Sequence, residues 1–221
     1  MAFAFSIASV AFASTDVDYD NLPDSTQENQ RLIEIGKNAQ RLKLFRKTLN
    51  VPIYYQNNGN SWDDIVLEIS DDEVKTMASH GCTICSFAMI TRYYGWSDDP
   101  GQVFYRLGSS AYPFDYGPAG TAYGLSIASH IRTDELDHQY VDVSTANAYL
   151  SGAIETDRPA LVGVYYYDQR NKLHTHFVTA YGYTDNGSTI LINDPWHPRN
   201  YTTLQQYTNS GWKIHRLYVY Q

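Results

Sequence analysis

Cysteine is scarce in this 221-residue sequence, which contains only two, and 16 lysines and arginines stand against 24 aspartates and glutamates. Two cysteines rule out a scaffold held together by several disulfides. The net charge of −8 and the pI of about 5.2 argue against a nucleic-acid groove, because phosphate binding needs a field of lysine and arginine. Beyond the N-terminus no apolar run approaches membrane-spanning length, so we expect no membrane span.

Hydrophobic residues are abundant at 43%, whereas charged residues make up 18% of the chain. This balance argues against intrinsic disorder. The length corresponds to one large domain, or one domain with an additional arm, and such a chain can bury a core without metals or disulfides. We find no internal repeat and no low-complexity segment. The composition therefore predicts a globular protein but does not indicate a ligand.

The first 14 residues, MAFAFSIASVAFAS, are uncharged and end close to Ala11-Phe12-Ala13, which has the form of a signal-peptidase site. The run is too short to cross a bilayer, and the basic segment that normally precedes such a run is missing. We expect residues 1–14 to be a secretory signal peptide with a truncated start. That expectation implies a secreted or cell-surface protein; the alternative is a hydrophobic arm.

Residues 15–49 are predicted to form a linker followed by an amphipathic helix. Ser25 and Glu28 have the spacing of a capping box, which marks a helix start. Apolar residues follow at three- and four-residue steps, at Leu32, Ile35, Ala39, Leu42 and Phe45. We interpret this helix, within residues 25–48, either as packed on the domain or as a propeptide that covers a cleft. The residues do not separate the two.

Residues 50–221 are expected to form one α+β domain, with helices first and an antiparallel sheet last. A short strand is predicted over 51–56 and a helix over 82–94. Residues 98–133 are expected to be irregular, apart from a helical stretch near 121–131, and to form cleft walls. Four tyrosines of that segment are candidates to grip a peptide backbone or simply pack on the surface: Tyr105, Tyr112, Tyr116 and Tyr123.

The last third of the chain is rich in β-branched and aromatic residues bounded by turn formers, which is typical of strands. The predicted strands cover residues 159–166, 176–183, 188–193 and 212–220. Short helices are expected between them, over residues 144–154 and 203–208.

Cys82 is the most informative residue of the chain. It is predicted in the first turn of a helix, where unpaired backbone N–H groups and the helix dipole stabilise a thiolate. Gly81 removes side-chain bulk where a substrate must approach, and Cys85, one turn later, is expected to face the core. Without further context, both cysteines are equally well interpreted as small buried hydrophobic residues.

A thiolate nucleophile needs a proton acceptor, which distant parts of the sequence can supply. His174 and His176 share one face of a predicted strand, and Asp194 follows the next strand. If the hairpin loop between these strands has an odd number of residues, Asp194 pairs opposite Val178 and lies diagonal to His176. A two-residue turn would place Asp194 and His176 on opposite faces. The order cysteine, histidine, aspartate is that of Cys-His-Asp/Asn proteases.

Four segments in order add to this signal. They read Val51-Pro-x-Tyr-Tyr-Gln56, then Gly81-Cys82-x-x-x-Ser86-x-Ala88-Met89 with Tyr94-Gly95, then His176-x-Val178-x-x-x-Gly182-Tyr183, and then Ile192-x-Asp194-Pro195. Together they resemble the stand-alone members of cysteine-peptidase family 39, which are papain-like relatives of the double-glycine leader peptidases that mature bacteriocins. The resemblance covers about residues 50–221.

The resemblance implies a papain-like fold with Cys82 as nucleophile, His176 as base, Asp194 as the residue that orients the imidazole, and Gln56 as oxyanion-hole donor. It implies a bacterial thiol peptidase that acts on peptides or proteins. We expect the protein to need no cofactor or metal and to be a monomer, although the sequence leaves the oligomeric state open. Trp196 is a candidate shield for the bond between histidine and aspartate. Leader peptidases usually precede a transporter with an ATP-binding module, and none follows here, so we do not carry that role over.

Other interpretations of the same residues stay open. Cys82 and Cys85 form a C-x-x-C pair, as in redox enzymes. In such enzymes the pair directly follows a strand, and the polar segment upstream of Cys82 does not resemble one. Together with His174 and His176 the two cysteines are also a possible zinc ligand set, although the spacing is unusual. A disulfide between Cys82 and Cys85 would remove the nucleophile. A papain-like scaffold without catalysis would be a peptide-binding module. A cell-wall amidase or transpeptidase would use the same triad.

Overall fold

The computed structural model describes residues 22, 24–70, 73–199 and 201–221. The predicted signal peptide at 1–14 lies outside the described residues. The helices are α1 (Thr26–Arg41), α2 (Met77–His80), α3 (Cys82–Tyr93), α4 (Pro100–Leu107), α5 (Tyr116–Thr121), α6 (Val143–Glu155) and α7 (Leu204–Asn209). The strands are β1 (Lys47–Thr48), β2 (Val66–Ile69), β3 (Val74–Thr76), β4 (Ile127–Arg132), β5 (Ala160–Tyr167), β6 (Leu173–Thr184), β7 (Thr189–Asn193) and β8 (Lys213–Tyr220).

An antiparallel sheet built around β5 organises the molecule. β6 and β8 flank β5, β4 extends the sheet beyond β8, and both β1 and β7 pair with β6. A separate hairpin consists of β2 and β3. None of the helices in the described ranges is long and apolar enough to cross a membrane. Helices combined with an antiparallel sheet confirm the predicted α+β class.

Side chains that alternate along the strands pack into two cores, one on each face of the sheet. Val162, Val178 and Leu217 join the core beneath α1 and α6. Leu161, Phe177 and Tyr218, each one position along the same strands, join the core beneath α3, α4 and α5. Because successive strand residues point to opposite faces, this alternation places helices on both sides of the sheet.

Helix α1 packs directly against α6. A Cβ atom added to Gly36 would overlap the carbonyl oxygen of Ala148, and one added to Gly152 would overlap the carbonyl oxygen of Leu32, so the two backbones touch. The helix begins as predicted after Ser25, but the Ser25 side chain does not cap it, and its hydroxyl lies 2.8 Å from Nδ1 of His130. The propeptide interpretation stays a hypothesis, although the helix packs tightly on the domain.

The predicted helix extends too far, because α1 ends at Arg41 and both Leu42 and Phe45 are exposed. Two other expectations for the first half of the chain are also wrong. Residues 51–56 run without strand pairing. Residues 98–133 are not irregular, since they form α4, α5 and β4, and the stretch near 121–131 contributes a strand rather than a helix. Glycine, serine and tyrosine give this segment little periodicity, so its structure depends on the core that it covers.

The register of β6 and β7 agrees with the prediction, although the loop does not produce it. Four residues, 185–188, connect the paired residues Thr184 and Thr189, an even number. A β-bulge between Ala180 and Gly182 adds one residue to β6 and so has the same effect on the pairing as an odd loop. Thr179 therefore pairs with Asn193. Continued by one residue, this register places Asp194 opposite Val178.

Candidate active site

A cleft of about 420 Å³ lies where the start of α3 meets the strand β6 and the loop after β7. Its lining contains Gln56, Cys82, His176 and Trp196, which come from four separate parts of the sequence. Of the four tyrosines proposed as cleft walls, only Tyr112 lines this cleft. Tyr116 and Tyr123 are buried in the core, and Tyr105 is exposed elsewhere.

Cys82 is the first residue of α3 and is half-buried at the floor of the cleft. The short helix α2 ends just before it, and Gly81 forms the break between the two helices. The reason predicted for Gly81 is wrong: a Cβ atom there would come within 2.5 Å of the backbone oxygen of Met77 and would also meet its side chain. Glycine at this position therefore lets α2 and α3 meet tightly, and it thereby positions Cys82.

His176 and Asp194 form a buried pair beside the thiol. The Nε2 atom of His176 lies 2.8 Å from Oδ1 of Asp194, and the two side chains are 6% and 1% exposed. Because Nε2 is engaged by Asp194, Nδ1 is the ring nitrogen left for the thiol, and the imidazole lies close enough to Cys82 for each group to shift the pKa of the other. The three residues predicted from distant segments are therefore brought together in the order thiol, imidazole, carboxylate.

The carboxylate of Asp194 is fixed by two further donors. The hydroxyl of Tyr207, on α7, donates to Oδ2 at 2.6 Å, and the backbone N–H of Trp196 donates to Oδ1 at 2.9 Å. Arg199 donates in turn to the Tyr207 hydroxyl at 3.2 Å. Because both oxygens have partners, the carboxylate cannot rotate away from His176 without breaking a buried hydrogen bond.

The ionisation of Cys82 and His176 is coupled. Burial raises the pKa of the Cys82 thiol, but the hydrogen bond and charge of His176, with weaker help from Phe177 and Thr83, outweigh it and lower the pKa below its ordinary value. Burial lowers the pKa of His176, but the hydrogen bonds to Asp194 and Cys82 raise it to about 9. Both shifts favour a thiolate next to an imidazolium.

Gln56 lies in the cleft with its side chain 1% exposed. One Nε2 hydrogen is used by a bond of 2.9 Å to the carbonyl oxygen of Ala78, which leaves the second hydrogen for another acceptor. The backbone N–H of Gln56 donates to Pro195, and Asn57 exchanges two hydrogen bonds with His197. The segment that carries Gln56 is thus tied to the loop that follows Asp194.

The second cysteine and the second histidine of the motifs lie apart from this arrangement. Cys85 is completely buried, and burial raises its thiol pKa well above the ordinary value. His174 bonds Asp168 at 3.1 Å and stacks on the ring of Tyr166. Both cysteines are free thiols. Within the described ranges no three histidine, cysteine, aspartate or glutamate side chains are grouped to hold a metal ion.

Tyr207 and Arg199 were not identified from the sequence. Tyr207 sits in an unremarkable short helix 13 residues after the aspartate that it contacts, and its role depends on how the chain turns back after β7. Trp196 was proposed as a shield for the His176–Asp194 bond. The structure places its backbone N–H on Asp194 and its side chain at the cleft wall.

Comparison with known proteins adds one finding. No curated protein and no solved structure matches the chain significantly. A protein-family profile described as a peptidase C39-like family matches residues 48–218, which is most of the sequence and includes every residue of the thiol–imidazole–carboxylate arrangement. This match agrees with the resemblance found in the four segments, and the chain belongs to the peptidase C39-like family.

Proposed function

We propose that this protein is a papain-like cysteine peptidase that cleaves amide bonds in peptides or proteins. The observation that carries the proposal is the buried series of contacts from Cys82 through His176 to Asp194 at the floor of an open cleft. Family membership supports peptidase chemistry. A histidine with only a structural role would not require both a cleft-facing thiol beside its ring and a carboxylate that two further hydrogen bonds hold in place.

In the first half of the reaction His176 holds the Cys82 proton on Nδ1, and the thiolate attacks the carbonyl carbon of the substrate. The C–N bond of the tetrahedral intermediate then breaks, and the imidazolium donates its proton to the leaving amine. Asp194 keeps the ring in the orientation that this transfer requires. The product of this half is a thioester between Cys82 and the acyl part of the substrate.

In the second half a water molecule loses a proton to His176 and attacks the thioester, which releases the acid and restores the thiol. The oxyanion that forms in both halves needs donors. The unused Nε2 hydrogen of Gln56 and the backbone N–H of Cys82 are suited to this, and one such donor contributes roughly 2.7–4 kcal/mol in comparable sites.

An activity-based thiol probe with peptide mapping tests the proposal. We expect labelling at Cys82 and loss of all peptide hydrolysis in Cys82→Ala. Cys85→Ala is the matched control, because this second cysteine is buried in the core one helical turn away and should be dispensable for turnover. Hydrolysis by Cys82→Ala, or absence of probe labelling from a folded wild-type protein, would contradict the mechanism.

We further propose that the peptidase is exported, on the basis of the uncharged run at residues 1–14 and its small-x-small site. N-terminal sequencing of the protein recovered from a secreting host tests this. A mature chain that starts near residue 14 supports export, and retention of the full chain inside the cell contradicts it.

A further inference from the structure

One wall of the cleft combines aromatic rings with cationic side chains. Tyr166, Trp196 and Trp212 line it together with Lys172 and Arg199. The rings of Tyr166 and Trp212 are 4.4 Å apart and form a continuous apolar surface. In the part of the chain that the structure describes, no carboxylate lies within ion-pair distance of either cation. The protein is acidic overall, yet this wall carries two cations without a direct ion pair, and Asp194 acts on Arg199 only from behind the Tyr207 hydroxyl.

Arg199 is held among aromatic rings with most of its donors unused. Its guanidinium carbon lies 5.5–6.0 Å from the ring centres of Trp196, Tyr201, Tyr207 and Trp212. One N–H group donates to the Tyr207 hydroxyl, and the residue is otherwise exposed. A guanidinium presents five N–H donors in a planar fork that matches a carboxylate. The surrounding rings restrain the orientation of this fork.

The position of Arg199 relative to His176 determines which part of a bound substrate Arg199 contacts. Asp194 contacts the imidazole on the side away from Cys82, and Arg199 reaches Asp194 through the single hydroxyl of Tyr207. The guanidinium therefore lies on the imidazole side of the cleft. In the proposed reaction the imidazolium gives its proton to the leaving amine, so the leaving portion of the substrate lies on this side.

The lining also contains an acidic residue. Glu73, Ser79 and His80 line the cleft, and the Glu73 carboxylate lies 3.8 Å from the His80 ring. A substrate carboxylate beside Glu73 would meet a carboxylate that is already present. An anionic group in the cleft is therefore favoured beside Arg199 and Lys172 rather than beside Glu73.

We infer that Arg199 forms a subsite for a carboxylate on the leaving-group side of the scissile bond. This inference rests on the proposed peptidase function and narrows its substrate class. The carboxylate belongs either to an acidic side chain close after the scissile bond or to the free C-terminus of a short peptide. Both sources present the same planar anion to the guanidinium.

A set of four peptides separates these sources. A peptide that the protein cleaves is first identified in a mixed library by mass spectrometry. Its leaving portion is then made with glutamate or glutamine, and with a free or an amidated C-terminus. We expect kcat/KM to be about tenfold or more higher with the preferred carboxylate than with the corresponding amide, which is glutamine or the amidated C-terminus. We expect this preference to fall as salt is raised.

Arg199→Gln should abolish the preference, which is a ratio measured within one variant and does not depend on its absolute activity. Arg170→Gln is the matched control, because Arg170 is an exposed cation in the loop before β6 and does not line the cleft. If Arg199→Gln fails to fold, Arg199→Lys and the salt dependence of the wild type serve instead. Lysine keeps the charge but lacks the planar fork, so it should retain only part of the preference.

A preference for glutamate assigns the subsite to acidic side chains, and a preference for the free acid assigns it to chain ends. Equal rates with all four peptides would overturn the subsite and leave the peptidase function intact. If no peptide is cleaved at all, the proposed function fails, and the subsite is then tested with glutamyl-glycinamide and glutaminyl-glycinamide. Slower iodoacetamide labelling of Cys82 with the acidic compound alone supports it, and equal labelling overturns it.

Discussion

Removal of the imidazole should make the Cys82 thiol less acidic and less reactive. In His176→Ala the burial that raises the thiol pKa remains, whereas the hydrogen bond and positive charge that lower it are lost. Only the weaker contributions of Phe177 and Thr83 are left. The midpoint of a pH titration of iodoacetamide labelling should therefore move to higher pH in the variant.

The size of the rate change follows from the strength of the lost bond. A hydrogen bond to a charged group is worth about 1.5–3 kcal/mol, which corresponds to a thiolate population lower by about 13- to 160-fold at a pH below both midpoints. A more basic thiolate is intrinsically a better nucleophile, with a Brønsted coefficient of about 0.4–0.5, and this recovers nearly half of the logarithmic loss. The labelling rate should therefore fall by about 4- to 20-fold.

His174→Ala is the matched control for this experiment. His174 lies two residues earlier on the same strand and lines the same cleft, but it bonds Asp168. Its removal should leave the labelling rate and midpoint of Cys82 unchanged. Peptide mapping assigns the label to Cys82, and thermal melts confirm that both variants are folded. Equal rates in His176→Ala and wild type, or an equal fall in both variants, would refute the coupling of thiol and imidazole.

Three further predictions concern the pH profile and the stability of the fold. Peptidase kcat/KM should fall as the pH rises through about 9, the pKa of His176, because only the imidazolium protonates the leaving amine. If the pH at which kcat/KM falls is the same in Asp194→Asn as in the wild type, this prediction is contradicted. Burial raises the pKa of Glu135, but His215 and Arg216 lower it to about 2, so its contribution to stability is present above pH 4.5 and is lost as the pH falls towards 2. Glu135→Gln should therefore lower the free energy of unfolding by about 1.5–3 kcal/mol in urea at pH 7. The difference from wild type should narrow in acid, and a difference that does not change with pH would contradict this prediction. Gly152→Ala should lower the melting temperature because its Cβ would overlap Leu32 of α1, whereas Gly117→Ala, which meets only an ordinary contact at 3.7 Å, should not; equal melting temperatures would disprove the backbone contact.

The second half of the chain was predictable from local pattern, whereas the middle was not. The stretches predicted as strands over 159–166 and 176–183 correspond to β5 and β6, because β-branched and aromatic residues suit a buried sheet. Residues 98–133 lack such runs. Their helices are short, and β4 forms because β8 offers a free edge that the local sequence does not reveal.

The candidate site shows the same division between what a pattern can predict and what only the fold determines. Cys82 at a helix start and Asp194 after a strand are features of single segments, and the structure places both as expected. Their meeting with His176 depends on a bulge in β6 that no loop rule anticipates. The reason for Gly81 was also out of reach, since it concerns a contact with Met77 of the preceding helix.

The segment after β7 supplies the carboxylate that bonds His176 and also the groups that hold this carboxylate in place. Within 14 residues it supplies Asp194, the Trp196 N–H and the Tyr207 hydroxyl, and it turns Arg199 back over that hydroxyl. Each contact restrains the next, so the ring of His176 is oriented by one continuous piece of chain. The same segment contributes Arg199 to the lining of the cleft. A change in the packing of Arg199 therefore reaches the imidazole through Tyr207 and Asp194, and the group proposed to bind the substrate carboxylate is mechanically linked to the group proposed to move the proton.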